Sequence, residues 1–100
     1  MARSNNVEHL TITATDDNSK SGVFSAATDA TVESIIIQNT SVNDCYITWA
    51  KSAAPTAVNT NYLLLAGASL EMDNHRFIYF AGINKDAGNN FTIVISGNYS

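Results

Sequence analysis

The chain has little charge. Only 14% of its 100 residues are Asp, Glu, Lys or Arg, against about 25% in an ordinary soluble domain. Its apolar fraction of 45% is ordinary, so Asn, Thr and Ser take the place of the missing charges. Because surfaces that pack against other proteins are depleted of charge, this composition is a first indication of an assembly subunit.

Basic residues are scarcer than acidic ones. Five Lys and Arg stand against nine Asp and Glu, which gives a formal net charge of −4. The five basic residues are spread along the chain and form no stripe that would contact phosphates. The composition therefore predicts no nucleic-acid partner.

Cysteine is almost absent. A single residue, Cys45, excludes an intramolecular disulfide and any zinc site with the usual cysteine spacing. The amino-terminal "MARSNNVEHL" has no hydrophobic signal core, and no apolar run approaches the roughly 20 residues that span a membrane. These features predict folding in a reducing cytoplasm and no membrane partner.

Long helical patterns are also missing. No window of ten residues has apolar positions at helical spacing, and the best candidate is interrupted by Pro55, the only proline. Short apolar or alternating runs recur instead between turns rich in Gly, Asn, Asp and Ser, a pattern typical of an all-β sandwich or small barrel. We predict strands at 7–14, 22–26, 31–38, 44–50, 61–65, 69–73, 76–81 and 91–96.

These strands predict one all-β domain over residues 7–100. It is expected to be a single small antiparallel β-sandwich, jelly-roll-like or immunoglobulin-like, with seven or eight short strands. Residues 1–6 are polar and unpatterned and are predicted to form a flexible arm.

The run "CYITWA" contains the only cysteine and the only tryptophan. Alternation places Cys45, Ile47 and Trp49 on one strand face, which is the more apolar one. Since free cysteine is among the most buried residue types, we interpret this face as core. The predicted core is Ile35, Ile37, Cys45, Ile47, Trp49, Leu64, Ile78, Phe91, Ile93 and Ile95.

Signals for catalysis or metal binding are weak. The chain has no G-x-S-x-G sequence, and His9 and His75 are its only bases near neutral pH. The Asp- and Asn-rich loops at 16–18 and 84–90 lack the residue order of a calcium loop. We therefore predict no enzymatic activity, no catalytic residue, no metal and no cofactor.

Two segments are predicted to contact partners. The loop "KSAAPTAVNT" at 51–60 is long and apolar for a sandwich connection, and the arm 1–6 has no pattern that buries it. The alternative for the loop is that it folds back over an edge of its own sheet. The tyrosines suit an interface, although a sugar-binding platform is the alternative. The predicted interface residues are Arg3, Asn5, Ala54, Pro55, Val58, Tyr62 and Tyr79.

Three segments together resemble a known group. "IIIQNTSVNDCYITWA", "YLLLAGASLEMDNHRFIYFAGI" and "FTIVIS" are similar to small virion structural proteins of tailed bacteriophages. The similarity covers roughly residues 32–96, and the matching positions are Ile35, Ile37, Asn39, Tyr46, Trp49, Gly67, Ser69, Ile78 and Tyr79. Where such proteins usually have Pro-Gly, this chain has Ala66-Gly67.

The resemblance implies a non-enzymatic structural role in a virion assembled in the host cytoplasm. The function expected first is a capsid decoration (cement) protein that binds the major capsid protein or other virion subunits and forms a homo-oligomer, with a trimer favoured. A neck, tail or fibre component is an alternative. So is a carbohydrate- or receptor-binding β-sandwich module, which needs exposed aromatics beside a polar loop such as "DAGNNF" at 86–91.

Overall fold

The computed structural model describes residues 7–24, 32–73 and 77–99, and within these ranges all regular structure is β. No helix in this part of the chain is long and apolar enough to cross a membrane. The strands are β1 (Val7–Ala14), β2 (Lys20–Val23), β3 (Val32–Asn39), β4 (Cys45–Ala50), β5 (Tyr62–Leu64), β6 (Ser69–Asp73), β7 (Tyr79–Asn84) and β8 (Phe91–Tyr99).

The strands form two four-stranded sheets. Sheet A has the order β1-β8-β3-β6, and sheet B has the order β2-β7-β4-β5. All neighbouring strands are antiparallel. The chain changes sheet at every connection except the one between β4 and β5. This eight-stranded, two-sheet order is that of a jelly roll, so the protein is an all-β sandwich and follows the first of the two predicted topologies.

The largest difference from the predicted strands concerns β7. It was expected at 76–81 but runs from Tyr79 to Asn84, with Gly82 opposite Ile47 and Asn84 opposite Cys45. Strand β8 likewise continues beyond residue 96 through Gly97 and Asn98. Glycine and asparagine favour turns, but in these strands pairing on both sides overrides that local preference. The predicted arm 1–6 lies outside the described residues.

The core lies between the inner faces of the two sheets. Eight of the ten predicted core residues are at most 1% exposed: Ile35, Ile37, Cys45, Ile47, Leu64, Phe91, Ile93 and Ile95. Trp49 and Ile78, predicted in the same set, are instead half-buried and pack against its margin. Trp49 lies near the end of β4, where the core gives way to the edge of the sandwich. Sequence patterns missed Phe24 and Phe80, both fully buried.

Candidate binding surface

The space between the sheets is filled by aromatic rings that stand over glycines. A β-carbon at Gly82 would lie 2.9 Å from Cζ of Phe91, and one at Gly97 would lie 2.7 Å from Cε2 of Phe24. The ring of Phe24 also meets that of Phe80 edge-to-face, with centroids 5.2 Å apart. Because these rings occupy the volume between the sheets, the described residues enclose no pocket there.

Two buried residues with polar or titratable side chains, Asn39 and Cys45, belong to the structural interior. The side-chain amide of Asn39 donates to the backbone oxygens of Asn43 at 2.8 Å and Leu64 at 3.1 Å, and its oxygen accepts from Ser41. Burial and, secondarily, the charge of Asp44 raise the pKa of Cys45 from 9.0 to about 12. A thiol that stays protonated is a poor nucleophile and a poor metal ligand.

One end of the sandwich is held together by aspartates. Asp17 accepts from the backbone N–H of Gly88 at 2.8 Å and the side-chain amide of Asn84 at 3.3 Å. Asp44 accepts from the N–H of Ala66 at 2.8 Å. The backbone N–H of Asn18 and then the ammonium of Lys20 lower the pKa of Asp16. Because these carboxylates accept hydrogen bonds from N–H groups of the loops, they hold the turns at this end of the sandwich together.

The outer face of sheet B carries no charge. The register of its strands places nine residues on this face: Ser21, Val23, Tyr46, Thr48, Ala50, Leu63, Tyr79, Ala81 and Ile83. An antiparallel sheet with one solvated face normally has polar residues there. The composition of this face is therefore typical of a surface that is covered from solvent.

The loop 51–60 covers part of that face. It leaves β4 at Ala50, yet the backbone N–H of Ala57 donates to Oγ of Ser19 at 2.8 Å, beside β2. Since β2 lies two strands from β4 in sheet B and the interior is filled, the loop crosses the outer face. Ala57 and Ala81 are consequently 1% and 0% exposed. The side of the loop that faces sheet B therefore agrees with the alternative in which the loop folds back over its own sheet.

The other side of the loop and the adjoining strand are open to solvent. Of the predicted interface residues, Ala54, Val58 and Tyr62 are exposed, whereas Pro55 and Tyr79 are half-buried. Tyr62 and Tyr79 belong to strands of sheet B, and the other three lie in the loop that connects its strands β4 and β5. Arg3 and Asn5 lie outside the described residues.

The exposed apolar side chains concentrate at β5, the last strand of sheet B. We define the β5 edge as Val58, Tyr62, Leu63 and Leu65, which are 45%, 46%, 38% and 52% exposed. Val58 and Tyr62 were predicted from the sequence as interface residues, whereas Leu63 and Leu65 were not. The sequence did indicate a contact surface that includes them, because no residue from 52 to 70 is charged.

Hydrogen-bonded turns hold the β5 edge at both ends. Before the strand, the N–H of Asn61 donates to the oxygen of Val58 at 3.0 Å, and the N–H of Val58 donates to Oδ1 of Asn61 at 2.6 Å. After it, the N–H of Ala68 donates to the oxygen of Leu65 at 2.9 Å, and Gly67 takes a positive φ of 76°. The edge is thus preorganised, which lowers the ordering cost of binding.

An aromatic cluster adjoins this edge on the inner side. The ring of Trp49 lies 6.3 Å from those of both Tyr62 and Phe77, and the ammonium of Lys51 lies 5.6 Å from the centroid of Phe77. The loop "DAGNNF" is at the other end of β4, because Asn84 pairs with Cys45. These aromatic rings and this loop therefore lie at opposite ends of β4.

The outer face of sheet A is more polar than that of sheet B. On β1 and β8, Nδ1 of His9 and Oγ of Ser96 are 2.8 Å apart, and the hydroxyls of Thr13 and Thr92 are 3.4 Å apart. Ile36 is an exposed apolar residue in the middle of this face. The two outer faces of the sandwich therefore differ in chemistry.

Comparison with known proteins identifies related folds. No family model and no curated protein sequence matches the chain. It is similar to the Cupin_2 domain of an XRE family transcriptional regulator from Enterobacter cloacae, with a TM-score of 0.59 and 10% identity, covering 99% of this chain and 87% of that one. It is also similar to hydroxypropylphosphonic acid epoxidase from S. wedmorenis, with a TM-score of 0.55 and 14% identity.

The likeness to the epoxidase is partial. It covers 95% of this chain but only 44% of that chain, so the present chain spans less than half the length of the enzyme. At these identities the likenesses show a cupin-like jelly-roll fold and nothing further about function.

The epoxidase has been solved in an Fe(II) form, which raises the question whether this chain could hold iron between its sheets. The described residues do not fit such a centre. Among the described residues, no three His, Cys, Asp or Glu side chains come together. His9 lies on the outer face of sheet A, and Phe24, Phe80 and Phe91 fill the interior.

Proposed function

We propose that the protein is a non-enzymatic structural subunit that works by contact with other protein subunits, as a capsid decoration protein of a tailed bacteriophage. The observation that carries this proposal is the uncharged, largely apolar and preorganised surface on the sheet B side, formed by residues 52–60 of the loop and the β5 edge. Contiguous apolar surface of this kind marks protein interaction sites.

Three further features support the proposal. Aromatic rings fill the interior, and the residues that the structure describes enclose no pocket between the sheets, where a small substrate would be bound. The buried thiol of Cys45 is protonated at neutral pH. Jelly rolls serve as viral capsid domains as well as lectins and cupins, so the fold is compatible with this role without selecting it.

The partners proposed are the major capsid protein and further copies of the chain. On a capsid, weak contacts repeated by symmetry add up through effective concentration. A neck, tail or fibre position would use the same surface, so the class of function does not depend on the exact site in the virion.

Mass spectrometry and cryo-EM of gradient-purified particles that carry the gene test the proposal. The expected result is a fixed copy number per particle and density for the sandwich with its sheet B side against other subunits. Detection of the chain only outside the particles would overturn it.

A second candidate is a carbohydrate-binding module, favoured by the Trp49, Tyr62 and Phe77 cluster because aromatic rings stack on sugars. A glycan array separates the two functions. Specific glycan binding that is lost in Tyr62→Ala, together with absence from particles, would favour this candidate over the structural one.

A further inference from the structure

The four edge strands of the two sheets, β1, β6, β2 and β5, are not equally protected against pairing with strands of other molecules. Unpaired sheet edges recruit other strands unless they are covered, charged or bulged. At one side of the sandwich β1 and β2 pack against each other across the sheets, and Lys20 lies in β2. At the other side β6 carries the exposed Glu71. Strand β5 is protected by its short length of three residues, Tyr62–Leu64, but these residues carry no charge and include no proline.

The charge of the protein restricts what can pair with β5. The chain has a net charge of −4, so a second copy is repelled wherever acidic surfaces meet. This repulsion is absent where the uncharged spans 52–70 of two copies meet. A basic partner has no electrostatic attraction to this span, because the span contains no carboxylate. The chemistry of the β5 edge is therefore complementary to itself.

We infer that the β5 edge pairs with the β5 edge of a second copy, antiparallel across a twofold axis. This inference rests on the proposed function, since it names one partner of the same surface. With the axis at Leu63, the middle residue of the strand, Leu63 meets its symmetry mate on the outer face and Tyr62 lies opposite Leu64 of the other copy. Sheet B then continues as an eight-stranded sheet.

The twofold contact is expected to be weak in solution. A three-residue strand with its flanking turns buries an area at the low end of specific interfaces, below about 1,200 Å². Dissociation constants on the order of 10–100 μM are expected. Pairing of like edges closes after two copies, so the product is a dimer, in place of the trimer favoured by sequence.

Sedimentation equilibrium of the full chain from about 5 to 500 μM tests the inference. The mass should rise with concentration from that of one chain, 10.7 kDa, to twice that value. Leu63→Lys should weaken association at least tenfold, because two lysines meet at the axis. Ile36→Lys is the matched control, since Ile36 and Leu63 are 39% and 38% exposed but lie on different sheets, and it should dimerise normally.

A charge-swap experiment makes the symmetry explicit. Leu63→Lys and Leu63→Glu should each be monomeric, and an equimolar mixture of the two should dimerise. This readout stands even if one variant is less stable, provided that NMR spectra show both to be folded. A monomeric wild type at 500 μM, a trimer mass, no rescue in the mixture, or an equal effect of Ile36→Lys would overturn the inference.

Particle analysis separates this inference from the proposed function. If the chain is present in virions but monomeric in solution and unpaired at β5 on the particle, the inference fails and the function stands. If the chain dimerises through β5 but is absent from virions, the function fails and the inference stands.

Discussion

Phe91 lies where a side chain on Gly82 would stand, with Cζ only 2.9 Å from the position of a β-carbon there. The two residues face each other from opposite sheets, so a glycine in a central strand is required by a ring in the partner sheet. The ring of Phe91 thereby helps to fill the space between the two sheets.

Gly82→Ala is accordingly expected to destabilise the protein by about 1–3 kcal/mol, as overpacking of a core does. Urea unfolding followed by Trp49 fluorescence measures it. Phe91→Leu in the same chain should recover part of the loss, because the smaller side chain frees the space. Purely additive effects of the two changes would contradict direct packing between these residues.

Asn39 is expected to be the most sensitive polar residue of the interior. It is 1% exposed and satisfies the backbone of Asn43, Leu64 and Ser41. Asn39→Leu keeps the volume but removes the side-chain partner of the Leu64 oxygen and the Ser41 N–H, so a loss of about 3 kcal/mol of unfolding free energy is expected. Asn59→Leu, at an exposed loop position, is the control and should change stability by less than about 0.5 kcal/mol.

Cys45 gives a defined pH dependence. Burial raises its pKa from 9.0 to about 12 in the folded state, so the folded protein holds this proton more tightly than the unfolded chain. The stabilisation is complete below pH 9 and is lost as the pH rises toward 12. By pH 10 the loss is on the order of 1 kcal/mol. Cys45→Ala should remove this component when unfolding is measured at pH 8 and pH 10.

The same burial predicts slow labelling of Cys45 by a bulky thiol reagent in the native state. Labelling should accelerate in denaturant to the rate of a free thiol. Rapid labelling of the native protein at pH 8, at a rate close to that of the unfolded chain, would show that the thiol is accessible.

Trp49 is half-buried and packs on Tyr62 and Phe77. Full truncation of a buried tryptophan costs about 3–5 kcal/mol, so Trp49→Ala at this margin should cost about 2 kcal/mol by chemical denaturation. Because Tyr62 belongs to the β5 edge, pairing of two copies should also remove water from Trp49. A blue shift of its emission that follows the sedimentation curve is expected in the wild type and not in Leu63→Lys.

Alternation alone was enough to predict β1 and β4, because one face of each strand is buried and the other is polar or less apolar. It failed for β7, where both faces are largely apolar and the strand contains Gly82. The need for a glycine at this position comes from the ring of Phe91, which is nine residues later in the sequence and belongs to the other sheet. Local patterns carry no information about such contacts.

The candidate surface was predicted only in part for a similar reason. The run "YLLL" suggests a buried strand, and Leu64 is indeed buried. Leu63 and Leu65 are exposed because β5 is the last strand of its sheet, and that position depends on the order of all eight strands. The uncharged span 52–70 was visible in the sequence, but its placement at the edge of a sheet was not.

The loop 51–60 provides the last prediction, because its two sides should respond differently to the same change. Ala57 is buried against sheet B and its N–H donates to Ser19, whereas Ala54 in the same loop is exposed. Ala57→Leu should lift the loop from the outer face and cost about 1–3 kcal/mol. Ala54→Leu should leave stability within about 0.5 kcal/mol.

Two further variants should separate the effect of the loop on stability from its effect on contact with other subunits. If the outer side of the loop touches other subunits, as proposed, Ala54→Lys should reduce incorporation into particles without changing the melting temperature. Ser19→Ala, which removes the acceptor for Ala57, should lower the melting temperature by a few degrees and leave Ala54 free to make its contacts. Equal melting temperatures for Ala57→Leu and Ala54→Leu would mean that the loop does not lie against the sheet in solution.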